Sequence, residues 1–160
     1  MLNITVIGVG KLKEKYWKSA IEEYAKRLTR YCRIEIQEVK DEPAPETLSE
    51  KERQLVMAKE GKRIMDQIPD SAYVVALCIE GRQMPSEKMA EMIQNTAANG
   101  KSHIVFIIGG SLGLSDIVKQ RADFRLSFSP MTFPHQLMRV ILFEQIYRSF
   151  TILHDGKYHK

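Results

Sequence analysis

Cysteine is scarce in this 160-residue chain: there are two, Cys32 and Cys78, far apart and in no metal-type pair. A zinc cluster or a disulfide framework is therefore not expected, and both thiols are read as reduced, with no metal in the site. Long hydrophobic runs are missing too. The apolar stretch Leu2–Val9 is far too short to span a bilayer, and it has neither a basic leader nor a cleavage site, so cytoplasmic residence without a membrane partner is expected. No internal repeat or low-complexity tract occurs. The one linker-like segment, Asp41-Glu42-Pro43-Ala44-Pro45-Glu46, reads as an extended surface loop too short to divide the chain, so residues 1–160 read as a single domain. Two nucleotide motifs are also absent. Lys13 stands where a dinucleotide fingerprint beginning at Gly8-Val9-Gly10 needs a small residue, and no lysine-serine or lysine-threonine pair follows the later glycines as a P-loop requires.

Hydrophobic residues make up 44% of the chain and charged residues 28%, enough for a real core in an ordinary soluble protein. The net charge of +4 is unevenly spread. Residues 1–33 hold eight Lys/Arg against three acids, residues 34–100 hold eight against thirteen, and residues 101–160 hold eight against four. Basic ends around an acidic middle suit contact with a polyanion, with a solvated lysine-rich face as the plainer reading.

Strand-like runs occur at Ile4–Val9, Ile34–Val39, Tyr73–Ile79 and Ile104–Ile108, with a weaker one at Arg125–Phe128. Helical spacing lies between them: Tyr16–Tyr31, a helix opened by the capping box Ser49-Glu50-Lys51-Glu52, Ser86–Ala98, a short one at Ser115–Ala122, and Gln136–Phe150. Alternating strands and helices, with continuous apolar strands, predict an α/β fold: a parallel sheet flanked by helices. The last helix is apolar around nearly its whole circumference, which predicts a homodimer interface in addition to packing on its own sheet.

Three consecutive strand ends carry small or turn residues: Glu80-Gly81, Gly109-Gly110 and the loop from Ser129 to Pro134. Such ends form a ligand crevice at the carboxyl edge of a parallel sheet. His135 opens the last helix, where the helix dipole disfavours imidazolium and leaves a neutral ring able to accept a proton. Arg139 lies one turn on, so the pair could meet a phosphate or a developing oxyanion together. Arg148 points elsewhere, with Glu144 as its expected ion-pair partner.

These segments carry a resemblance. Ile107-Ile108-Gly109-Gly110-Ser111-x-Gly113-Leu114, then Leu126-Ser127-Phe128-Ser129-x-Met131-Thr132-Phe133-Pro134-His135-Gln136-x-x-Arg139-Val140, then Glu144-Gln145-x-Tyr147-Arg148 and the terminal Tyr158-His159-Lys160 closely resemble the RlmH family. Those proteins are bacterial 23S rRNA pseudouridine N3-methyltransferases of the SPOUT superfamily. Gly10-Lys11-Leu12-Lys13-x-x-Tyr16 fits as well, so the likeness spans essentially the whole chain. Leu112 and Pro130 are its slight departures.

The resemblance implies a C-terminal trefoil knot, a homodimer, and S-adenosyl-L-methionine held by Leu77, Gly109 and the loop Phe128, Ser129, Pro130, Met131, Thr132 and Phe133. It implies 23S rRNA within the assembled ribosome as partner and methylation of ring nitrogen N3 of a pseudouridine. His135 would help with the proton or orient the base, Arg139 or Arg148 would stabilise the charged ring or grip a phosphate, and Tyr158 and His159 would close over the partner subunit's site. A SPOUT-like methyltransferase acting on another RNA and a non-catalytic RNA-binding or ribosome-assembly module are the alternatives.

Overall fold

A computed structural model of the chain describes residues 1–154 and 156–159. Five strands form one sheet: β1 (Asn3–Val9), β2 (Arg33–Val39), β3 (Tyr73–Arg82), β4 (His103–Ile108) and β5 (Phe124–Leu126), in the order β2-β1-β4-β3-β5. Every pairing is parallel, so all five carboxyl ends emerge along one edge. Five helices connect and follow them: α1 (Lys15–Leu28), α2 (Glu50–Met65), α3 (Ser86–Ala98), α4 (Asp116–Arg121) and α5 (His135–His154). The architecture is the expected α/β fold. The predicted capping box is present at the start of α2, where the Ser49 hydroxyl accepts from the Glu52 N–H and the Glu52 carboxylate accepts from the Ser49 N–H.

The alternation of strand side chains divides the interior into two layers. Ile4, Val6, Ile104 and Phe106 face α1, α3 and α5, meeting Leu28, Ile93, Leu142 and Phe143. Ile7, Val9, Val105 and Ile107 face the other side, meeting Ile64 of α2 and Val118 of α4. Helices on both faces explain why β1 and β4 are apolar at consecutive positions: neither face meets water.

Helix α5 packs against both α1 and α3. Those two neighbours cover much of the circumference that the home sheet leaves free. Tyr31, just beyond α1, stacks on Phe150 with ring centroids 5.5 Å apart. Leu137 and Ile141 remain half-buried and belong to neither interior layer.

The first turns of α5 are tied to the sheet by a buried cation. Arg139 is 1% exposed. Its Nη1 donates to Glu38 Oε2 at 2.7 Å, and its Nη2 donates to the carbonyls of Val9 at 3.0 Å and Gly10 at 2.8 Å. Glu38 Oε2 also accepts from the Leu12 N–H at 2.8 Å, which fixes the loop after β1. Glycine leaves room for this arrangement: a Cβ on Gly8 would lie 2.6 Å from Arg139 Cζ and Nε. Gly8→Ala is expected to displace the guanidinium and cost about 1–3 kcal/mol, as overpacking does. Urea unfolding checks this, and an unchanged midpoint would mean that the guanidinium gives way freely.

Candidate functional site

Two clefts open side by side on the carboxyl edge of the sheet. The first, about 390 Å³, lies among the ends of β3, β4 and β5. Leu77, Cys78 and Glu80 form one wall, the turn Gly109–Leu114 a second, and Phe128, Ser129, Met131, Thr132 and Phe133 a third. Of the positions assigned to a cofactor from sequence, these include all but Pro130, which is exposed and outside the lining.

Close backbone approach shapes this cleft. A Cβ on Gly109 would lie 2.8 Å from Gly113 C and 3.1 Å from Leu114 Cδ2, so the turn folds onto itself only with glycine there. The Gly113 N–H closes the turn by donating to the Gly110 carbonyl at 3.1 Å, and Gly113 takes φ +88°. The register of β3 against β5 breaks between Leu77 and Arg82, lifting residues 78–81 out as a wall. The third wall braces itself: the Met131 N–H donates to Ser129 Oγ and the Ser127 hydroxyl donates to the Ser129 carbonyl. At the rim Lys119 pairs with Glu80 and holds that carboxyl below its usual range. Burial pushes the Cys78 thiol up.

The second cleft, about 730 Å³, is lined by Gly10, Lys11 and Lys13 after β1, by the 38–44 segment around the end of β2, and by Glu60 of α2. It shares Gly110, Ser111 and His135 with the first. The Lys13 N–H donates to Gln136 Oε1 at 3.2 Å, joining the loop after β1 to the start of α5.

His135 stands at the junction as the first residue of α5, half-buried. Its imidazole is held below the ordinary histidine range, first by burial and then by the Arg139 charge, with Lys13 adding and Asp41 opposing. The neutral ring anticipated from the helix start thus has burial as its larger cause.

Arg139 needs a correction. It does not share an open face with His135: the guanidinium is buried, its two Nη atoms donate to Glu38 and two backbone carbonyls, and its Nε is buried without a partner among the described residues. The remaining catalytic candidates lie elsewhere within this chain. Arg148 pairs with Glu144 at 2.7 Å, as the sequence suggested, and donates toward His159 Nδ1 at 3.1 Å. The Tyr158 hydroxyl donates to Glu144 Oε2 at 2.9 Å, its ring lies under Arg148, and His159 meets Glu87 of α3. At a helical rise of 1.5 Å per residue this group sits roughly 14–20 Å along α5 from His135.

Sequence reasoning missed Glu60. Val56, Glu60 and Ile64 recur every four residues and are all buried, so a carboxylate stands inside an apolar stripe. That break in the pattern was the available signal. Glu60 is 6% exposed, and its Oε2 accepts from the Glu42 N–H at 2.9 Å. Burial pushes the carboxyl up, the Glu42 N–H offsets part of this, and the Asp41 charge adds to it. Among the described residues no group of three or more His, Cys, Asp or Glu is placed to hold a metal ion.

Proton NMR titration of the His135 ring is expected to give a midpoint below 6.5, the ordinary histidine value. A midpoint at or above that value would contradict the burial of the ring.

The family described as "Predicted SPOUT methyltransferase" matches residues 2–159. A protein named ribosomal RNA large subunit methyltransferase H from Limosilactobacillus reuteri is 58% identical over 159 residues, covering 99% of this chain and all of that one. Proteins of the same name from Alkaliphilus oremlandii and Clostridium kluyveri are 56% and 55% identical with the same coverage. Among solved structures, a probable methylase family protein from Haemophilus influenzae superposes with a TM-score of 0.53 at 13% identity, over 99% of this chain and 70% of its own, a likeness of fold alone. On its full-length sequence match and these relatives, this chain belongs to the SPOUT methyltransferase family.

Proposed function

We propose that this protein uses S-adenosyl-L-methionine to methylate ring nitrogen N3 of a pseudouridine in the 23S rRNA of the assembled ribosome. The observation that carries this reading is the junction of two clefts at Gly110, Ser111 and His135. One cleft has a volume within the range usual for small-ligand sites, about 300–1,000 Å³. Its apolar walls and close-packed glycine turn suit an adenosyl group flanked by backbone. The other, at about 730 Å³, is large enough to admit a nucleotide and sets Lys11, Lys13 and Lys40 among the acids Glu38, Asp41, Glu42 and Glu60, of which Glu38 and Glu42 are paired with Arg139 and Arg63. The names of the relatives direct the choice of substrate to large-subunit rRNA, and a ribosomal substrate implies the cytoplasm.

Leu77, Gly109, Phe128 and Phe133 would hold the cofactor, which supplies an electrophilic methyl group when bound. Transfer of that methyl to N3, with cleavage of its bond to sulfur, would require the N3 proton to leave. His135 would take it or orient the base: its ring is half-buried at the junction, and burial holds its pKa below the ordinary histidine range. Lys11 and Lys13 are exposed at the mouth of the second cleft, where they can meet phosphates.

A C-terminal trefoil knot and a homodimer belong to the same proposal. The knot is supported by the close approach of two of the segments it would involve: a Cβ on Gly81 would lie 2.8 Å from the Arg125 backbone, and the Ser127 N–H donates to the Arg82 carbonyl. The dimer is supported by Leu137 and Ile141 outside both interior layers, and by the distance of Tyr158 and His159 from their own cleft. In a dimer those tail residues would serve the partner subunit's site.

Transfer of labelled methyl groups to purified ribosomes tests the reaction. Label is expected in 23S rRNA at a far higher level when the particles carry pseudouridine; equal label in particles lacking it, or none at all while cofactor binding persists, would refute the assigned target. Mixing tests the shared site. His135→Ala and a chain ending at Lys157 should each be inactive, and after subunit exchange their mixture should recover about a quarter of wild-type turnover, from the one complete site in each mixed dimer. No recovery would place the tail's action within its own chain.

A further inference from the structure

Glu60 is a buried carboxylate that the proposed transfer does not use. Its Oε2 is taken by the Glu42 N–H, while its Oε1 makes no hydrogen bond among the described residues. That second oxygen lies 3.2 Å from where a Cβ on Gly110 would stand, so it faces the glycine that borders both clefts, and the residue lines the second. An acceptor that lines a cleft, in a residue only 6% exposed and with no protein donor among the described residues, suits a ligand that brings an N–H. Arg63, three residues on along α2, is engaged with Glu42 and the Lys40 carbonyl, and Asp41 and Glu42 are the acidic charges acting on Glu60.

Resting on the proposed reaction, we infer that Glu60 is the specificity-determining residue that accepts the N1–H of pseudouridine. N3 must face the first cleft to receive the methyl group, which turns the remote edge of the ring toward the second cleft and Glu60. On pseudouridine that edge carries N1–H, a ring donor. Uridine places C5–H there, because its N1 is bonded to the ribose. The site therefore holds an acceptor that pseudouridine satisfies and uridine leaves unpaired, a type of mismatch that discriminates strongly between near-identical substrates. A carboxylate at this place also explains why Gly110 lacks a side chain: a Cβ there would crowd Glu60 Oε1 and Val9 Cγ1, both at 3.2 Å.

The test uses full-length Glu60→Gln and Glu60→Asp proteins, with thermal midpoint and S-adenosyl-L-methionine affinity measured first. kcat/KM is then determined on ribosomes carrying pseudouridine or uridine at the target. The Gln variant should bind the cofactor within twofold of wild type and lose at least 100-fold on pseudouridine ribosomes, a magnitude below the ceiling for such polar mismatches. Its level on uridine ribosomes should be unchanged. The Asp variant, which keeps the carboxylate, should lose less. Equal loss on both substrates, no loss, or loss matched by weaker cofactor binding would overturn the assignment and leave Glu60 as a brace for the 42–46 loop. Wild-type protein inactive on pseudouridine ribosomes would refute the reaction itself and this role with it; wild-type activity with an unaltered preference in the Gln variant refutes the role alone.

Discussion

The guanidinium of Arg139 joins three parts of the chain that are remote in sequence. It holds the start of α5 against the carboxyl ends of β1 and β2, and through Glu38 it also fixes the loop that begins at Gly10. His135 sits one turn before it, so the position of the imidazole between the clefts follows from where that cation is seated. An ion pair sequestered from water is a modest source of net stability, but breaking one strands a charge, which makes it an effective way to specify a single arrangement. Gly8 is the structural counterpart of this choice: the strand gives up a side chain so that the cation can lie against its backbone.

The same logic shapes the ligand-facing edge. Gly81, Gly109 and Gly110 each stand where a Cβ would meet backbone or a buried side chain, so the three walls approach one another more closely than ordinary residues permit. The resulting crevice sets backbone turns beside the apolar side chains of Leu77, Phe128, Met131 and Phe133, with Lys119 paired to Glu80 at its rim and Arg63 paired to Glu42 of the second cleft. His135 and Glu60 face the space along with Cys78 in the first cleft and Lys11, Lys13, Lys40 and Asp41 in the second, and burial pushes the His135 pKa down and that of Glu60 up.

Much of this was legible in the sequence. Periodicity located all five strands and all five helices, because continuous apolar runs and amphipathic spacing report directly on which faces meet water. The glycine turn and the loop before His135 were legible as strand ends, and adjacency of β3, β4 and β5 then brought them together. Arg139 was misread because spacing along a helix shows that two residues share a face, while only the packing shows whether that face is wet. Its neighbours at the same spacing, Leu142, Phe143 and Ile146, are all buried, and they mark it as interior. Glu60 escaped notice for the matching reason: its burial shows only from Val56 and Ile64 on either side of it, both core. The placement of Tyr158 and His159 depended on contacts with Glu144 and Glu87 that no local pattern encodes.

The order of the strands has a consequence for how the molecule comes into being. β1 lies between β2 and β4, and its first residue, Asn3, pairs with His103, so a growing chain must produce a hundred residues before the second edge of β1 is covered. Until then the nascent polypeptide carries an open, apolar strand edge, the kind of surface that seeks a partner in other chains. Closure of the sheet and completion of the clefts wait on the same late segment, since β4, β5 and the start of α5 all lie beyond residue 102. Synthesis therefore yields no partly competent enzyme, and the interval before release is when this protein is most exposed to aggregation.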